Sequence, residues 1–117
     1  MERKIRLYPF AVSGHRGKIE IGENIYDAVT LEDILKDNAI ERCELLKMDI
    51  EGFEYDVLFN TPDVILQRID GITMECHIFD NGQKLMQLKS YLTERGFKVE
   101  TTKVTSNNIY YLNAIRT

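Results

Sequence analysis

The chain has 117 residues and a formal net charge of −4, with basic and acidic residues interspersed; this suits one domain with a real core, is too short for two, and argues against a nucleic-acid binder, which concentrates its basic residues on one face. Cys43 and Cys76 are the two cysteines and lack CxxC spacing, so zinc-finger and redox-motif readings fail and a reducing, cytoplasmic setting is expected. No apolar run approaches ~18 residues and the N-terminus lacks a signal-peptide core, so no membrane association is expected.

In chain order, residues 5–12 read as a strand, with Pro9 marking an edge or irregular position because it cannot donate to a ladder. Residues 13–17 are a turn by composition, and residues 18–21 alternate polar and apolar as a half-buried strand does. A hairpin between these two strands is expected, followed by a loop over 22–29. Thr30 then predicts a helix N-cap, with Asp33 completing a near capping box and Leu31, Ile34 and Leu35 forming the buried stripe.

Residues 45–50 read as a short strand with Leu46, Met48 and Ile50 on one face and Lys47 and Asp49 on the other. Glu51-Gly52 is the turn, Gly52 serving the tight strand-to-helix geometry, and Phe53, Val57 and Leu58 supply the apolar stripe of the next helix. Thr61-Pro62-Asp63 breaks or restarts that helix, and Val64, Ile65, Leu66 and Ile69 continue it briefly. Residues 72–79 form the next strand. Residues 84–95 form the clearest helix, with Leu85, Leu88 and Leu92 inward and Gly96 as C′ residue. Residues 97–104 and 109–115 read as an antiparallel hairpin around Ser106, Asn107 and Asn108. The alternation of strands and helices predicts a mainly parallel α/β sheet, with the C-terminal hairpin as its antiparallel part.

Asp49 is thus expected at the carboxyl end of a strand, beside a helix N-terminus, where open α/β sheets bind ligands. Glu51, Glu75 and His77 are expected on the same rim. Such a set could take a proton from a hydroxyl or bind a divalent cation, although no ligand spacing demands a metal. Plainer roles stand beside these: Glu51 and Glu54 stabilising the helix N-terminus, Asp49 pairing with Lys47, and His77 as an ordinary satisfied histidine. Lys47 would alternatively mark its strand as an exposed edge.

The segment Leu46-Lys47-Met48-Asp49-Ile50-Glu51-Gly52-Phe53-Glu54 resembles the "LKIDVEGAE" signature of FkbM-type methyltransferases. Met74-Glu75-Cys76-His77 resembles that family's "IEVH" strand end, and Phe10 to Ser13, Thr30 to Leu35, Arg95-Gly96-Phe97 and Ile109-Tyr110-Tyr111 resemble its flanking pieces. The resemblance implies a single domain over 1–117 with the C-terminal part of a Rossmann-like S-adenosylmethionine (SAM) methyltransferase fold, its first strands missing. It implies SAM as cofactor and a small-molecule hydroxyl acceptor. It also implies that Ala11, Val12 and Ser13 flank the adenine, with Asp49 at the cofactor and Asp49, His77 and Glu75 as candidates for catalysis. No GxGxG turn occurs in the sequence, so weak or absent SAM binding is expected of the isolated chain. The signature strand would then present an open edge, which predicts a homodimer or a rearranged N-terminal strand. Competing expectations are a non-catalytic interaction module derived from the fold and a small metal-dependent enzyme using the acidic rim.

Overall fold

In the computed structural model, which describes residues 5, 7, 10–50, 52–78, 80–104 and 108–117, the chain builds two mixed sheets. The smaller contains β1 (Ala11–Val12), β2 (Gly17–Ile21) and β3 (Asn24–Val29) in the order β1-β3-β2. The larger contains β4 (Leu46–Met48), β5 (Gly71–His77), β6 (Phe97–Lys103) and β7 (Ile109–Arg116) in the order β4-β5-β7-β6. Four helices intervene: α1 (Leu31–Asp37), α2 (Glu54–Phe59), α3 (Asp63–Leu66) and α4 (Gln83–Glu94). No helix among the described residues is long and apolar enough to cross a membrane.

The mainly parallel sheet expected from the sequence is corrected. β4 runs parallel to β5 over three residue pairs, whereas β7 pairs antiparallel with β5 over seven and with β6 over seven. The terminal hairpin does not simply extend the sheet; it inserts β7 next to β5, so antiparallel pairing dominates.

The expected first hairpin is also corrected. β2 pairs antiparallel with β3, not with β1, which lies parallel to the other side of β3. Gly22 and Glu23 form the two-residue loop, with Gly22 at φ 64°. A glycine in the first central position allows the backbone twist that matches flanking strands. The expected loop over 22–29 is therefore mostly strand. Of the strand expected over 5–12, Ala11 and Val12 are in β1, Ile5 and Leu7 are exposed, and Pro9 lies outside the described residues.

α1 begins as its sequence implies. Thr30 Oγ1 accepts from the Asp33 N–H at 3.2 Å and Asp33 Oδ2 accepts from the Thr30 N–H at 3.0 Å, closing the capping box. α4 follows Gly82 and ends before Gly96, whose φ of 94° suits only glycine without strain.

The core lies between the larger sheet and its helices. Ile72, Met74 and Cys76 alternate along β5 into it and meet Val57, Leu58, Leu88 and Leu92. Thr73 and Glu75 alternate to the opposite face, which is only partly covered. Tyr111 on that face is exposed, and β4 at the edge of the sheet leaves Lys47 exposed as well.

Candidate functional site

β4 ends at Met48, so Asp49 follows the strand directly and is exposed. Gly52, at φ 101°, turns the chain toward α2. Only glycine takes that conformation cheaply, which explains its place between an acidic strand end and a helix. The expected strand over 45–50 is shorter by a residue at its start and two at its end, and Glu51 lies outside the described residues.

Beside this turn the small sheet walls off a cleft of about 610 Å³, lined by Phe10, Ala11, Val12, residues 19–22, Asp49, Ile50 and Phe53. The walls are largely apolar, and Asp49 and Glu20 are their carboxylates. A recess of about 220 Å³ opens on the other side of Asp49, lined by Lys47, Met48, Asp49, Thr73, Met74, Glu75 and Tyr111. The register explains this second grouping: Lys47 lies opposite Thr73 and Glu75 opposite Tyr111, on one face of adjacent strands. Asp49 thus borders both spaces. Lys47 makes no ion pair with it among the described residues.

His77, the last residue of β5, takes a different partner. Its Nδ1 lies 3.0 Å from Glu54 Oε1, with the imidazole 25% exposed and the Glu54 side chain 0% exposed. The Tyr55 hydroxyl donates to the His77 carbonyl at 3.0 Å and anchors the strand end to α2. Glu54 Oε2 has no hydrogen-bond partner among the described residues. An unsatisfied buried acceptor costs about 1–3 kcal/mol, so this oxygen is an energetic liability that the fold tolerates. The surroundings are poorly solvated: burial raises the Tyr55 hydroxyl, and burial with the nearby Glu54 carboxylate pushes the Cys76 thiol up to about 12.

Ser13 is held away from the cleft lining. Its hydroxyl lies 3.3 Å from Asp56 Oδ2, and the Gly14 N–H donates to the same oxygen at 2.7 Å. The loop after β1 is thereby tied to α2. Of the residues expected at the cofactor, Ala11, Val12 and Asp49 share the cleft, and Ser13 instead fastens its wall. Of those expected in catalysis, Asp49 and Glu75 share the recess, and His77 joins Glu54. Among the described residues, no group of three or more His, Cys, Asp or Glu side chains is placed to hold a metal ion.

Sequence reasoning assigned Glu54 to the helix N-terminus and did not single out Asp56. Both sit in the first turn of α2, where an acid is commonly a helix-dipole partner. The available signal for Glu54 was its position in the signature, with His77 closing the second recognisable piece.

The family comparison joins these pieces. A family model described as the methyltransferase FkbM domain matches residues 6–99. The chain belongs to the FkbM methyltransferase family. Neither a search of curated proteins nor one of solved structures returned a match. Within this FkbM domain the match spans the cleft, the Asp49 turn and the Glu54–His77 pair, and it ends inside β6. Methyl transfer is the class of chemistry that membership points to.

Proposed function

We propose that this chain forms the cofactor-facing and acceptor-facing part of a SAM-dependent methyltransferase directed at a hydroxyl oxygen. The observation that carries the reading is the position of Asp49 between a largely apolar cleft and a recess of mixed polar and apolar lining. A two-sided carboxylate suits a reaction that brings a nucleoside cofactor and a polar acceptor together. The cleft's size falls within the ordinary range for small-molecule sites.

The residues present fit the nucleoside end of the cofactor. Val12 and Phe53 offer apolar surface to a flat base, and Asp49 offers an acceptor to its polar edge. Bound SAM supplies an electrophilic methyl group. The chain's own contribution is to bind, to orient the acceptor and to receive its proton. Asp49 and Glu75 are suited to holding the acceptor hydroxyl by hydrogen bonds across the recess.

Calorimetric titration with SAM tests this reading. Weak but saturable binding is expected, reduced at least ~10-fold further by Asp49→Asn, equivalent to ~1.4 kcal/mol. Absence of binding to the wild-type chain would favour the alternative, a non-catalytic interaction module that keeps the sheet and not the chemistry. The proposal includes a second copy of the chain pairing along β4, the edge strand, beside which Leu45 is exposed. Sedimentation velocity checks this, and a monomer at high concentration removes it.

A further inference from the structure

We propose that a second copy of this chain docks on the outward face of the large sheet. The two sheets stack about a two-fold axis that runs along the strands, so that Lys47 of each copy meets the partner's Glu100. The contact goes beyond the methyl-transfer reading and does not depend on it.

Three observations lead to it. First, the face is bare where a sheet is usually covered. β7 is an inner strand, yet its outward side chains Tyr111, Asn113 and Ile115 are exposed, as are Lys98 and Glu100 beside them on β6. Tyr111, Ile115 and Leu45 are 46%, 65% and 63% exposed, and large apolar side chains gathered on one exposed face mark an interaction surface. Second, the register sets opposite charges at the two ends of one row. Lys47 lies opposite Thr73, Thr73 opposite Asn113, and Asn113 opposite Glu100. Thr73 and Asn113 satisfy each other in the middle, at 2.7 Å. Neither Lys47 nor Glu100 makes an ion pair among the described residues. They stand on opposite edge strands, three strand spacings or about 14 Å apart, so they do not meet within one chain. Third, one symmetry operation brings them together. A half-turn about an axis along the strands, passing between β5 and β7, lays β4 over the partner's β6 and β5 over the partner's β7. Lys47 then faces the partner's Glu100, twice by symmetry. Ile115 faces the partner's Gly71, because Gly71 and Ile115 are paired across β5 and β7. A Cβ at Gly71 would lie 3.5 Å from Leu45 Cδ1, so Ile115 meets an open position bordered by Leu45. A half-turn across the strands, centred on the same row, would instead stack Lys47 on Lys47 and Glu100 on Glu100.

Sheets stacked in this way keep their strand directions within about 30° of each other, which the reach of a lysine and a glutamate accommodates. The recess beside Asp49 then lies between the copies, and an acceptor held there is enclosed by both chains. The cleft on the other side of Asp49 stays open. This contact is separate from pairing along the β4 edge. In an edge-paired dimer, Lys47 and the partner's Glu100 are four strand spacings apart, about 19 Å.

Carbodiimide cross-linking of the wild-type chain tests the contact. The reagent joins an amine to a carboxylate only where the two touch, so a Lys47–Glu100 amide forms across the stacked faces and not within a chain or across a β4 edge. With unlabelled and nitrogen-15-labelled chains mixed beforehand, mass spectrometry is expected to find that linked peptide in mixed-isotope form. Sedimentation velocity is expected to show a reversible dimer. Lys47→Glu and Glu100→Lys should each weaken it at least ~10-fold by setting like charges opposite each other. The two substitutions together should restore it to within a few-fold of wild type, and Ile115→Lys should abolish it. A monomer at high concentration, a dimer without the Lys47–Glu100 link, or a double variant no tighter than the single ones overturns the proposal. Circular dichroism checks that each variant folds; where one does not, the wild-type cross-link decides. The SAM titration is read separately, since its outcome leaves this contact unaffected.

Discussion

The main-chain N–H of Gly14 donates to Asp56 Oδ2 at 2.7 Å and, with the Ser13 hydroxyl on the same oxygen, fastens the loop after β1 to the first turn of α2. The wall of the cleft that carries Ala11 and Val12 is therefore positioned by a helix whose other first-turn acid, Glu54, holds His77. The cleft wall and the end of β5 are thus tied to the same six-residue helix.

Gly14 tests that fastening. A Cβ there would lie 2.6 Å from the Asp56 carbonyl oxygen and 2.8 Å from both Asp56 Oδ2 and Asn60 Nδ2. The backbone atom cannot move aside without distorting α2. Gly14→Ala is expected to destabilise the protein by about 1–3 kcal/mol, as overpacking generally does. Urea unfolding measures it; an unchanged midpoint would mean that the loop yields freely.

Arg116 is a second anchor. Its guanidinium donates to the carbonyls of Ile69, Arg95 and Leu66, and it covers the Phe97 ring at 4.3 Å. Those carbonyls come from the ends of α3 and α4 and from the segment entering β5, so one side chain ties three chain reversals together. Arg116→Ala should cost about 2–3 kcal/mol, within the range for losing charged hydrogen bonds. Arg116→Lys should recover only part of it, because an ammonium cannot present the same fork. Thermal denaturation of the two variants distinguishes these outcomes.

Acid should loosen the α1 end first. The Arg16 guanidinium, followed by the Thr30 N–H, holds the Asp33 carboxyl well below its ordinary value of 3.8. Folding thus favours the ionised form. The stability gained is complete above about pH 4 and is lost as the pH falls through the depressed value. Asp33→Asn should lower stability at neutral pH and flatten the fall below about pH 4. Unfolding free energies measured across that range test the sign; an Asp33→Asn protein with an unchanged acid limb would refute it.

The two thiols should behave differently. Cys76 is fully buried with its thiol pushed up to about 12, whereas Cys43 is partly exposed, its thiol raised by burial. A thiolate is the reactive species. Native protein at mildly alkaline pH should therefore react with an aromatic disulfide reagent at Cys43 alone, and Cys76 should follow only on unfolding. Equal reaction of both would show that the β5 end opens readily.

The legible parts of this fold were those with local causes. Thr30 and Asp33 announced α1 through their capping chemistry, and Leu85, Leu88 and Leu92 announced α4 through their spacing. The Asp49 turn was legible because an apolar run, a glycine and a helical stripe follow one another. β3 was missed, although Gly22-Glu23 after the apolar Ile21 can serve as a two-residue hairpin loop. Its pairing left Ile25 and Tyr26 exposed, so the usual alternation of buried and exposed positions was absent. The antiparallel majority of the large sheet was hidden for another reason: strand order depends on which partner β7 meets, and that contact is long-range. The Glu54–His77 pair spans 23 residues. Nothing in the spacing of α2 distinguishes a buried acid from one that faces the helix dipole.

The position of β7 bears on how the protein is made. It is the last of the four strands of the large sheet in the chain, yet it lies between β5 and β6. As the polypeptide leaves the ribosome, β5 must wait with one edge unsatisfied until residues 109–116 emerge. The interval exposes a strand rich in apolar residues to neighbouring nascent chains. Synthesis rate and chaperone supply should therefore influence yield.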